Sequence, residues 1–108
     1  MRKERVTRGS GNVFADLGLP QPEERLAKAA LARALARLIR AGGLTQKAAA
    51  ERLDIDQPKI SHLLRGRLAG FSTDRLMGFL TALGRDVDIV VKTPPRSRRR
   101  GRMRVIAA

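Results

Sequence analysis

The sequence contains no cysteine, tryptophan or tyrosine, and its aromatic residues are three phenylalanines. Without cysteine the chain has neither disulfide bonds nor thiolate metal sites. Its single histidine, His62, has no second histidine to share a metal ion, so we expect no metal and no cofactor. No apolar run approaches the roughly 18 residues of a membrane helix. Residues 1–13 are charged but lack the apolar segment of a signal peptide, which predicts a cytoplasmic protein.

Residue patterns that carry catalysis are also missing. No Ser/His/Asp set, no paired carboxylates and no phosphate-cradling glycine loop stand out in the sequence. The glycines fall where turns and helix ends are expected, and turn chemistry accounts for them. We therefore expect that the protein is not an enzyme.

Acidic residues are too few to balance the basic ones, and the formal net charge is +13. Residues 1–10 have four basic residues against one acidic, and residues 94–108 have six arginines and no acidic residue. The 83 residues between them have 13 basic and 9 acidic residues, a net of +4. Attraction to a polyanion is therefore largely a property of the two ends, and it is expected to weaken with salt.

Apolar periodicity predicts helices in the middle of the chain. The first begins at Pro22, which suits a first helical turn, and ends before Gly42 and Gly43. Thr45 is the expected N-cap of a second helix over about 46–53. Asp56 or Gln57 is the expected cap of a third helix that ends near 65–66, and Ser72 is the expected N-cap of a fourth over about 73–83.

The pattern changes after the fourth helix, where Val87, Ile89 and Val91 alternate with other residues. This period of two predicts a short C-terminal β-strand. Its partner is open: the apolar segment 12–19, the same strand of a second subunit, or another protein. Three parts of the chain are thus expected: a flexible basic arm (1–11), one domain (12–93), and a disordered Arg-rich tail (94–108).

Residues 45–66, TQKAAAERLDIDQPKISHLLRG, have the pattern of a helix-turn-helix. Ala50 provides the small side chain that a close helix crossing needs, and Asp54 stands in the turn where a positive φ is often required. The wedge between the two helices is expected to be filled by Leu53, Ile55, Ile60, Leu63 and Leu64.

The opposite face of the third helix is polar and basic. Gln can pair bidentately with adenine and Arg with guanine, so this face has the chemistry to read base edges. The residues predicted to contact DNA bases are Gln57, Lys59, Ser61, His62 and Arg65. A solvated polar face on a small helical domain is the plainer interpretation of the same residues.

Four blocks of the sequence resemble XRE/Cro-type regulators of the HigA-like antitoxin branch: NVFADLGLP, the Ala/Leu/Arg-rich first helix, LTQKAAAERLDIDQPKISHLLRG, and FSTDRLMGFLTALGRDVDIVV. The resemblance implies an all-α, lambda-repressor-like bundle of four to five helices, and a homodimer on a palindromic operator in double-stranded DNA, hence a nucleoid-associated protein. The phosphate contacts it suggests are Thr45, Gln46, Lys47 and Arg67, and the predicted dimer residues are Val87, Ile89 and Val91.

Three functions remain open from the sequence. The first, which the resemblance favours, is an antitoxin that represses its own operon and neutralises a small basic RelE/HigB-like toxin. The second is a stand-alone, phage-type repressor without a toxin. The third is a non-specific nucleic-acid binder that acts through the arginine tail. The tail matches an AT-hook poorly, because proline does not flank Arg100-Gly101-Arg102.

Overall fold

The structure, a computed structural model, describes residues 21–107 of the chain. In this range the chain forms four helices: α1 (Gln21–Ala41), α2 (Gln46–Leu53), α3 (Gln57–Leu64) and α4 (Thr73–Ala82). The predicted all-α helix-turn-helix bundle is confirmed. None of these helices has the length and apolar character that crossing a bilayer requires. The predicted basic arm and the apolar segment 12–19 lie outside the described residues.

Helix α1 forms one wall of the core. Its alanines and leucines have high helix propensity, and its acidic first turn suits the positive end of the helix dipole. Leu31, Leu35 and Ile39 recur at helical spacing and are buried, with Leu35 fully inaccessible to solvent. Gly43 ends the helix with a φ of 65°, a conformation that costs glycine little. The chain can therefore turn sharply into α2.

Helix α4 packs mainly against α1 and closes the other side of the core. The side chain of Ser72 caps it by accepting a hydrogen bond from the Arg75 N–H at 3.1 Å. Phe71 and Phe79 meet edge to face with ring centroids 6.1 Å apart. The Arg75 guanidinium lies 5.7 Å and 5.5 Å from these two ring centroids, so this arginine serves packing.

The predicted C-terminal strand is wrong for the chain as the structure describes it. Residues 85–92 form neither a helix nor a strand. A β-strand requires hydrogen bonds to a neighbouring strand, and no strand pairs with this segment in the described chain. Val87 is half-buried and packs against the core. Ile89 and Val91 are 58% and 91% exposed, so the alternation of apolar residues does not produce one buried face.

The C-terminal segment returns to the body of the domain at the first turns of α1. The Met103 N–H donates a hydrogen bond to Glu23 Oε2 at 3.3 Å. Met103 and Val105 pack against the buried Ala27, and Val105 also contacts the main core. The predicted limits of arm, domain and tail stay predictions, but this contact was not expected from the sequence.

Candidate nucleic-acid interface

The first element of the helix-turn-helix is α2, which begins where predicted. Thr45 has an extended backbone, and its Oγ1 accepts a hydrogen bond from the Ala48 N–H at 3.0 Å. The helix contains no acidic residue in its first turn. By helix geometry the N–H groups of Gln46 and Lys47 have no acceptor inside the helix, so this end of α2 has the partial positive charge that attracts anions.

The turn between α2 and α3 depends on Asp54. Its φ and ψ are 54° and 48°, in the left-handed helical region, and no other non-glycine residue in the described range has a positive φ. The Asp54 N–H reaches back to the carbonyls of Ala50 and Glu51. Aspartate tolerates this conformation better than most residues do, and the expectation for the turn is confirmed.

Apolar side chains lock α3 against the rest of the domain. Ile60 is fully buried and Leu63 nearly so, and both belong to the core cluster that includes Ala50 and Leu53. Ile55 and Leu64 are half-buried at the edge of the same cluster. Because successive inward positions are filled, the rotation of α3 about its axis is fixed, and its other face must point to solvent.

The predicted base-contacting residues do share that outward face. Gln57, Lys59, His62 and Arg65 are exposed, and Ser61 is half-buried at the margin. Gln57, Ser61 and Arg65 follow one another at four-residue intervals, so they form a line along one side of α3. An α-helix with exposed hydrogen-bonding groups in this arrangement has dimensions that fit the major groove.

The predicted phosphate-contacting residues are exposed on the two sides of this face. Thr45, Gln46 and Lys47 lie at the start of α2, and Arg67 follows the end of α3. Lys47 and Gln57 line a shallow depression of about 300 Å³, together with the acidic Glu51, Asp54 and Asp56. The position of these three acidic residues beside Gln57 was not expected from the sequence, and their negative charge repels phosphate near the turn.

A second feature missed from the sequence is a groove between α1 and the end of α3. It has a volume of about 360 Å³ and an apolar floor, to which Ala32, Leu63 and Leu68 contribute. Its rim includes three arginines, Arg33, Arg37 and Arg40, all exposed. Their spacing along α1 was visible in the sequence, but their position beside α3 depends on how the two helices cross.

Comparisons with known proteins agree with this geometry. A family model for a helix-turn-helix domain matches residues 13–92. No curated protein matches the sequence. A solved structure described as an XRE-family transcriptional regulator is 50% identical to this chain and superposes on it with a TM-score of 0.78. The match includes 82% of this chain and the full length of the other. The chain therefore belongs to the XRE-type helix-turn-helix transcriptional regulators, a family that acts by binding DNA.

Proposed function

We propose that the protein is a sequence-specific repressor that places α3 in the major groove of an operator. The observation that supports this most is the exposed line of Gln57, Ser61 and Arg65 on a helix whose rotation is fixed by buried Ile60 and Leu63. Lys59 and His62 flank that line. In this proposal the bases are read by α3, while the start of α2 and Arg67 hold phosphates on either side.

The α2 end contributes to the phosphate contacts in two ways. Thr45 uses its oxygen to cap the helix, which leaves its hydroxyl hydrogen to donate to a phosphate. Gln46 and Lys47 offer both backbone N–H groups and side chains, and Lys47 adds a full positive charge. These contacts fix the position of α3 on the duplex without reading its sequence.

We propose further that two subunits bind together, with their α3 helices in successive major grooves about 34 Å apart. Exposed apolar side chains support this part of the proposal, because Ile89 and Val91 have no neighbour in the described chain that removes them from water. Half-buried Val87 anchors the same segment to the core. The expected operator is a near-palindrome, and footprinting upstream of the gene should show two protected half-sites about 10 base pairs apart.

Val91→Asp is expected to weaken the dimer at least tenfold, because it removes one apolar contact and introduces a charge into the interface. Sedimentation velocity over a concentration series measures the change. Thr93→Asp is the matched control, since it adds the same charge at an exposed position two residues away without removing an apolar side chain. Equal dimerisation of both variants and the unchanged protein would show that this segment is not the interface.

We also propose that this repressor is the antitoxin of a type II toxin–antitoxin pair, in the HigA-like branch. The support is the resemblance of the sequence blocks on both sides of the helix-turn-helix. Leu26 and Ile106 are exposed by 72% and 73%, and they are apolar side chains outside α3 that a protein partner would cover. The alternative is a stand-alone repressor of the same fold.

Co-expression with the product of the neighbouring gene separates these two functions. For an antitoxin, a small RelE/HigB-like product should arrest growth alone, and co-expression of this chain should restore growth and yield a stable complex. A Gln57→Ala variant should still restore growth, because toxin binding is proposed to be independent of base reading. Absence of a growth-arresting neighbour, or failure to protect, would leave the stand-alone repressor.

A further inference from the structure

The six arginines between 96 and 104 are not on a free tail, because the chain contacts the body of the domain on both sides of most of them. Val87 packs against the core before this stretch. Met103 and Val105 pack against Ala27 at its end, and the Met103 N–H bonds to Glu23. A turn in which the Arg98 N–H donates to the Pro95 carbonyl at 3.0 Å orders the middle. The end of the stretch, with Arg102 and Arg104, is therefore held at the first turns of α1.

The end of the stretch lies at the first turns of α1, opposite the end of α1 that leads into α2. Helix α1 leads directly into α2, and the groove that it forms with the end of α3 is lined by α1 residues from Ala29 to Arg40. Glu23 and Arg40 are 17 residues apart, which corresponds to about 26 Å along the helix axis. Arg102 and Arg104 are the sequence neighbours of Met103, whose N–H bonds to Glu23. The Cα atom of each is therefore about 3.8 Å from the Cα atom of Met103.

The chemistry of this stretch is that of a phosphate-binding surface. From residue 89 to 108 the sequence contains no acidic side chain. Five of the six arginines, Arg96, Arg99, Arg100, Arg102 and Arg104, are exposed. No apolar or aromatic side chain stands between residues 96 and 102, so a protein partner would gain little burial there. Between residues 96 and 102 the only other residues are Ser97 and Gly101. The guanidinium groups can contact the regularly spaced phosphates of a duplex, and such contacts do not depend on the base sequence.

We infer that this Arg-rich segment is a second DNA-binding surface, which holds a second duplex segment while α3 occupies the operator. Its contacts with Glu23 and Ala27 hold the end of the segment at the first turns of α1, whereas α2 begins beyond the other end of that helix. The protein then joins two DNA segments, one chosen by sequence and one by charge alone. The choice of the first segment by sequence rests on the proposed function, whereas the second surface goes beyond it and is tested separately.

The first test measures binding of the full chain to a random duplex across a salt series. The variant R99Q/R100Q removes two exposed arginines but leaves Arg98, whose Nη1 is shielded from solvent. Its slope of log affinity against log salt should fall by about 2, at about 0.9 for each phosphate that is no longer neutralised. The control R52Q/R85Q removes two exposed arginines outside the segment, has the same net charge and should keep its slope. Equal changes in both variants would overturn a localised site.

The second test asks whether two duplexes are held at once. The upstream DNA of the gene is immobilised, the protein is bound, and capture of a labelled random duplex is measured. The unchanged protein and the R52Q/R85Q control should capture the second duplex, and R99Q/R100Q should capture at least fivefold less. No capture by the unchanged protein, or full capture by R99Q/R100Q, would overturn the proposal. If the upstream DNA is not preferred over random DNA, operator reading fails, while this comparison still decides the second surface.

Discussion

Ile60→Ala is expected to lower the free energy of unfolding by about 2–5 kcal/mol, as deletion of a buried Ile side chain typically does. Ile60 is fully buried in the core cluster, at the joint where α3 meets α2 and α1. A domain of this size has roughly 4–12 kcal/mol of stability in total, so the loss is a large fraction of it. Urea unfolding followed by far-ultraviolet circular dichroism measures the change.

Two variants on the same helix make this prediction specific. Ile60→Val should cost only about 0.5–1.5 kcal/mol, because it removes one methylene from the same site. Leu64→Ala should cost less than Ile60→Ala, because Leu64 is half-buried at the edge of the cluster. If Ile60→Ala lost no more stability than Leu64→Ala, the claim that buried Ile60 fixes α3 against the core would be contradicted.

Gln57→Ala is expected to weaken binding to the operator by about 1–3 kcal/mol and to leave binding to random DNA unchanged. The reason is that Gln57 is the first residue of α3 and lies on its exposed face, where a side-chain amide can pair with adenine. Affinities for the upstream DNA and for a scrambled duplex, measured at the same salt concentration, give the two free energies.

The chain provides a matched control for this prediction in Gln46. It is the same residue type, exposed, and also the first residue of a helix, but it belongs to α2. A phosphate contact does not depend on sequence, so Gln46→Ala should weaken binding to both duplexes by the same factor. If Gln57→Ala behaved like Gln46→Ala, Gln57 would be a phosphate contact and the assignment of base reading would be contradicted.

The elements that could be predicted from the sequence are those with local signals. Thr45 and Ser72 cap their helices as their residue types indicate, and Asp54 adopts the left-handed conformation that the turn requires. The inward residues of α3 also follow from helical spacing, since Ile60 and Leu63 are buried and Gln57 is exposed. Helical periodicity alone is therefore enough to identify the candidate reading face of α3.

The features that could not be predicted depend on contacts between distant parts of the chain. Alternation at Val87, Ile89 and Val91 is a local signal for extended backbone, but a strand also needs a partner, and the described chain supplies none. The bond from Met103 to Glu23 joins residues 80 apart in sequence. Helical or strand periodicity does not indicate such a contact, so the position of Met103 against α1 could not be predicted.

The central claim is that α3 reads base sequence, and fluorescence anisotropy of the full chain tests it most directly. The labelled DNAs are the region upstream of the gene and a scrambled duplex of equal length, titrated across a salt series. The proposed function predicts tighter binding to the upstream DNA, with a difference in affinity that persists at physiological salt as binding to the scrambled duplex weakens. Equal affinities for both DNAs at every salt concentration would contradict it.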